Sequence, residues 1–98
     1  MRSLEKLDVY RLARELAVSV YRMTRATPLS AHPLLADQIG RAVISIPANI
    51  AEAYALGTRP QLVRGVRIAF GSAAELHTHF WVARRVEALP GGELGGPE

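Results

Sequence analysis

Three stretches of the chain carry apolar residues at helical spacing, separated by short breaks rich in proline, glycine and hydroxyl side chains. In the first, Val9, Leu12, Ala13, Leu16, Val20 and Met23 fall within one arc at 100° per residue, which predicts an amphipathic helix over residues 7–26. Pro28 disfavours helix at Thr27, and Thr27 and Ser30 are capping residue types, so a loop is expected over 27–32. A second stripe, Leu35, Ile39, Ala42, Val43, Ile46, Ile50 and Ala53, predicts a helix over 33–55 that stops at Gly57. Pro47 lies inside it, removing one amide donor and pressing on the carbonyl of Val43, so a break or a kink is expected there. The stripe keeps its register on both sides of the proline, which favours the kink.

Thr58 and Gln61 have the spacing of a capping box, and Pro60 suits a first helical turn. Beyond them Leu62, Val66, Ala69, Ala73, Leu76, Phe80 and Ala83 repeat at alternating steps of four and three, a heptad seam that predicts a third helix over 59–88. A second apolar line on that helix, Val63, Phe70, Ala74 and Trp81, lies about 100° round from the seam. Two apolar faces need two packing partners, and no fourth helix is predicted. Val63, Phe70 and Trp81 are therefore expected at an oligomer interface. After Leu89 prolines and glycines crowd the chain, and residues 90–98 are expected to form a disordered tail behind one helical domain spanning 1–89.

The fold class that follows is all-α, a helical bundle with three long helices. At 98 residues a single core leaves only a few kcal/mol of net stability, so help from partner chains is plausible on size alone. The chain has no cysteine, which excludes disulfides, thiolate metal sites and cysteine nucleophiles. Charged residues interrupt the apolar pattern of the first 25 positions, and no apolar run reaches membrane-spanning length, so a cytoplasmic protein without a membrane partner is expected.

Net charge is +3, and eleven of the twelve cations are arginine. Arginine stays charged and matches phosphate bidentately, which makes RNA or DNA a candidate partner. On the first helix Arg11, Arg14, Arg22 and Arg25 share an arc of about 80° opposite the apolar face. Together with Arg64, Arg67 and Arg85 of the third helix they are the candidate nucleic-acid contacts, against the plainer reading of a solvated polar face. Glu75 and His79 stand four apart on a helix but make no closed ligand set with His77, so no metal is expected. Ser45 and Ser72 lack any motif that supplies a base and an oxyanion hole, and no phosphate-binding loop is present, so neither catalysis nor a cofactor is expected.

Gln38, Arg41, Ser45, Asn49 and Glu52 recur at steps of three and four and form one polar stripe beside the core stripe of the second helix. They sit in the run Gln38-Ile39-Gly40-Arg41-Ala42-Val43-Ile44-Ser45-Ile46-Pro47-Ala48-Asn49-Ile50-Ala51-Glu52, which resembles the signature of the four-helix-bundle family named for the 23S rRNA intervening sequence. Leu7-Asp8-Val9-Tyr10 and Ile68-Ala69-Phe70-Gly71-Ser72-Ala73-Ala74-Glu75-Leu76 agree with it, and the resemblance covers about residues 4–89. It implies an up-and-down antiparallel bundle of the four-helix type and a homo-oligomer, with a ring-forming pentamer as the first expectation. Relatives in diversity-generating retroelements bind nucleic acid and a protein partner. Two departures stand out: Ala53 where the family usually has glycine, and the proline- and glycine-rich tail where a fourth helix should begin. The expected function is a non-enzymatic homo-oligomeric subunit holding nucleic-acid phosphate through outward arginines. The alternatives are a scaffold that binds protein alone, or a truncated remnant of the family.

Overall fold

The computed structural model describes residues 4–89, and the expectation of a disordered 90–98 tail falls outside them. Three α-helices carry the fold: α1 (Asp8–Thr24), α2 (Pro33–Leu56) and α3 (Arg59–Arg85). Short 3-10 turns at Leu4–Lys6 and Leu29–Ala31 precede the first two. At 1.5 Å per residue α2 and α3 are about 36 and 40 Å long, while the chain measures 43 × 22 × 22 Å. The helices must therefore lie side by side along one axis, and consecutive ones run antiparallel. Gly57 alone with Thr58 joins α2 to α3; its φ of 87° is the left-handed conformation that ends a helix without a Cβ penalty.

α2 is the central element. It packs against both α1 and α3, which hardly meet each other. Its core line, Ile39, Val43, Ile46 and Ile50, is buried, and Ala13 and Val20 of α1 and Ala69, Leu76 and Ala83 of α3 close on it. The helix continues unbroken through Pro47, so of the two outcomes expected there the less favoured one, a break, does not occur. Gly65 of α3 is buried where α2 passes closest: a Cβ there would collide with the Cβ of Ala53 and lie 3.0 Å from the Asn49 carbonyl. Small side chains at 53 and 65 are what let the two backbones approach.

Two boundaries differ from the apolar pattern. α1 stops at Thr24, whose hydroxyl donates to the Tyr21 carbonyl at 2.6 Å, and the chain then turns through a cis Thr27–Pro28 peptide that leads to the fully buried Leu29. α3 ends at Arg85 rather than at 88. Ala88 N–H donates to the Ala83 carbonyl at 2.7 Å and Glu87 N–H to the Arg84 carbonyl at 3.1 Å, with Glu87 at φ 58°, a Schellman ending that folds the buried Ala88 back onto the core. At the start of α3 the capping box is half formed. Gln61 N–H donates to the Thr58 hydroxyl at 3.3 Å, but that hydroxyl donates to the Gln61 side-chain oxygen at 2.8 Å, so the glutamine meets the cap side chain instead of the cap amide.

The predicted core arc of α1 is only partly covered. Ala13 and Val20 are buried and Met23 is half-buried, whereas Val9, Leu12 and Leu16 are exposed, Leu12 to 70%. The burial centres instead on Tyr10, Ala13, Ala17, Val20 and Thr24. On α3 the seam holds at Ala69, Leu76 and Ala83, but Val66 is open to solvent.

Candidate nucleic-acid interface

The arginine ridge of α1 is built from the first turn onward, and its two halves differ. Arg11 pairs with Asp8 one turn earlier and also donates to the Glu5 carbonyl at 3.2 Å. Arg14 lies 3.0 Å from the Glu5 carboxylate, brought back over the helix by the Leu4–Lys6 turn, and its guanidinium stands 4.8 Å from the Tyr10 ring centroid. Arg22 has no ion-pair or hydrogen-bond partner among the described residues. Arg25 lies over Tyr21, 6.0 Å from its ring centroid, and donates to its hydroxyl at 3.3 Å. The four-residue ridge therefore reduces to Arg22 and Arg25 as cations not countered by a carboxylate.

Arg64 and Arg67 on α3 are exposed and likewise have no charged partner among the described residues. Arg85 covers one face of Trp81 at 4.5 Å. Trp81 is thus half-shielded by its own helix, while Phe70 is 77% exposed. Val63, the third residue of the expected interface, is also exposed.

The polar stripe of α2 does not act as one unit. Ser45 is its one interhelical link: its hydroxyl donates to the Ala42 carbonyl and meets the Ser72 hydroxyl of α3 at 2.7 Å. Asn49 donates to the Ser45 carbonyl at 2.7 Å, and Arg41 pairs with Asp37 at 2.9 Å on the exposed face. Gln38 and Glu52 make no side-chain hydrogen bond among the described residues. An open cleft of about 620 Å³ lies between α1 and α2, with Tyr21 and Arg25 on one wall and Gly40, Arg41 and Ser45 on the other. The Tyr21 ring lies against Gly40, at an ordinary contact distance of 3.8 Å from where a Cβ would stand. Residue type did not announce this cleft, nor the Ser45–Ser72 link, although both serines lie in stretches that resemble the family.

His79 lies 3.2 Å from Glu75, an ordinary pair one turn apart. Among the described residues no group of three or more histidine, aspartate or glutamate side chains converges as a metal site would require. No described helix is long and apolar enough to cross a membrane.

These helices, with the Gln38–Glu52 stripe at their centre, match the sequence model of the family described as 23S rRNA-intervening sequence protein over residues 5–94. The chain belongs to this family. No curated protein matches it significantly. As a member of the 23S rRNA-intervening sequence protein family it presents three helices among its described residues, with Ala53 beside Gly65 and a third helix closed by Glu87.

Proposed function

We propose that this chain is a non-enzymatic, homo-oligomeric subunit that holds nucleic acid by its phosphates, without reading sequence. The observation that carries the reading is the set of outward arginines with no carboxylate to neutralise them among the described residues, Arg22, Arg25, Arg64, Arg67 and Arg85. Guanidinium groups in that state are free to fork onto phosphate oxygens, and Arg25 and Arg85 are held in place by the aromatic rings beneath them. Arg11 and Arg14 belong to a second rank, since exposed ion pairs hold them by no more than about 1 kcal/mol each and their acids repel phosphate.

The test is a titration of the purified chain with a short duplex and a structured RNA at 50 and 200 mM salt. Four or five phosphate contacts predict that affinity falls by about a hundredfold between the two conditions, through counterion release. Arg22→Glu with Arg25→Glu should flatten that slope. Binding that ignores salt, or is absent at 50 mM, removes the reading. A second reading, a scaffold that takes up protein alone, is favoured by the bare Phe70 ring. Under it Phe70→Ser with Trp81→Ser abolishes partner capture and the arginine variants leave it unchanged.

A further inference from the structure

Gly65 and Ala53 bring α3 and α2 together near the turn that joins them, and beside this contact lies a hollow of about 230 Å³. Its walls divide by chemistry. The α2 wall offers hydrogen-bond acceptors: Glu52 contributes a carboxylate with no partner among the described residues, and Asn49, whose amide nitrogen donates to the Ser45 carbonyl, has its side-chain oxygen left over. The α3 wall offers donors. Arg64 brings a guanidinium with no partner among the described residues, and Gln61, whose side-chain oxygen accepts from the Thr58 hydroxyl, has its amide nitrogen left over. Glu52 and Arg64 line one small space without closing into an ion pair.

The hollow also has two apolar ends, Leu56 at 55% exposed and Ile68 at 41%. Ser45 meets Ser72 and Ala53 lies against Gly65, which fixes the levels of the two antiparallel helices. Leu56 therefore stands level with the Gln61–Leu62 step of α3, and Ile68 lies six or seven residues further along, roughly 10 Å at the helical rise. Glu52 and Arg64 fall between those levels. Side chains tilt toward the N-terminus of their own helix, so Leu56 and Ile68 lean toward each other, with room for one flat ring between them.

We propose that this hollow binds a guanine base. Guanine sets two donors, N1–H and the N2 amino group, beside two acceptors, O6 and N7. A carboxylate takes the first pair with both of its oxygens, and a guanidinium forks onto the second. Adenine turns its N1 lone pair toward the carboxylate, and cytosine gives it one amino group only. A free α-amino acid meets both charges but leaves nothing flat for Leu56 and Ile68 to cover. The base comes from a free nucleotide or from an unpaired residue of a strand. In the second case the hollow adds a choice of base to the phosphate-holding reading above, which chooses none. Arg64 then serves the base, and Arg22, Arg25, Arg67 and Arg85 remain for phosphate.

Equilibrium dialysis of the purified full chain against guanosine, inosine and adenosine 5′-monophosphates tests this, since the three share one phosphate and differ in the base. The inosine compound lacks only the N2 amino group. The guanosine compound should bind about fivefold tighter than it or more, as a paired base contact allows, and the adenosine compound should bind weaker still. Glu52→Gln, a change at an exposed position, should erase the preference for guanosine over inosine while circular dichroism shows unchanged helicity. A second arm compares an oligoadenylate carrying one central guanosine with the same strand in adenosine alone. Preference for guanine in this arm only names a strand as the source, and preference in the nucleotide arm only names the free nucleotide. Equal binding of the guanosine and inosine compounds together with equal binding of both strands, or a preference that survives Glu52→Gln, overturns the guanine site. If the strands then still bind with a steep salt dependence, the phosphate reading stands without it. A guanine preference that ignores salt removes the phosphate reading and keeps this one.

Discussion

Glu87 holds a left-handed backbone, φ 58°, at a place where helix endings select glycine. A side chain in that conformation costs about 1 kcal/mol, and the ending persists because Ala88 is fully buried and Leu89 half-buried behind it. Glu87→Gly should remove the strain without disturbing the two hydrogen bonds that close α3, which go to backbone groups. The expected gain is about 1 kcal/mol, read as a rise in thermal midpoint of about 4–8 °C for a domain of this size. An unchanged or lowered midpoint would mean that Glu87 makes up the cost elsewhere. Residue type also explains why this ending was not legible. Nothing in a glutamate announces positive φ, so the apolar pattern ran the helix on to 88, three residues past its end.

At the scale of elements, the α2/α3 contact depends on Gly65 lying against Ala53 and the Asn49 carbonyl. Gly65→Ala gains up to about 1 kcal/mol in helix propensity but forces the backbones apart, a disturbance of about 1–3 kcal/mol. The larger effect wins, so the urea midpoint should fall. Gly71→Ala is the control on the same helix, because its Cβ would meet open space, and that variant should be stabilised by about 0.5–1 kcal/mol. If both glycines respond alike, the close approach does not govern the pair. The three helices themselves were legible, each beginning within a residue of its expected start, since a 3.6-residue period survives whatever packs on it. What covers the apolar positions was not legible. Periodicity reports the surface a helix can bury, and in α1 that surface is wider than α2 and α3 reach, which leaves Leu12 outside. The candidate site divides in the same way. The arginine ridge followed from spacing, and the Asp8–Arg11 pair could have been read from its three-residue step, but Glu5 reaches Arg14 only through a non-periodic 3-10 turn.

For the whole molecule the question is how much stability one chain holds alone. Its buried core leans on alanine, at Ala13, Ala42, Ala53, Ala69 and Ala83, and among the described residues only Leu29, Ile39, Val43 and Ile50 are large and wholly enclosed. Meanwhile Leu12, Phe70 and their neighbours leave outside much of the apolar area that a chain of this size needs inside. If other copies of the chain cover Leu12, Phe70 and their neighbours, folding and association are one equilibrium, and stability depends on concentration. A tenfold increase then adds at least about 0.7 kcal/mol per chain, which for a chain of this length raises the thermal midpoint by at least about 3–6 °C. Melting curves from 1 to 100 µM should shift twice by that amount. Phe70→Asp should melt lower and at one temperature throughout, because a chain that cannot associate has nothing to gain from its neighbours. A wild-type midpoint that stays fixed across the range would mean that the alanine-rich core suffices, and that the apolar face contributes nothing to holding the helices together.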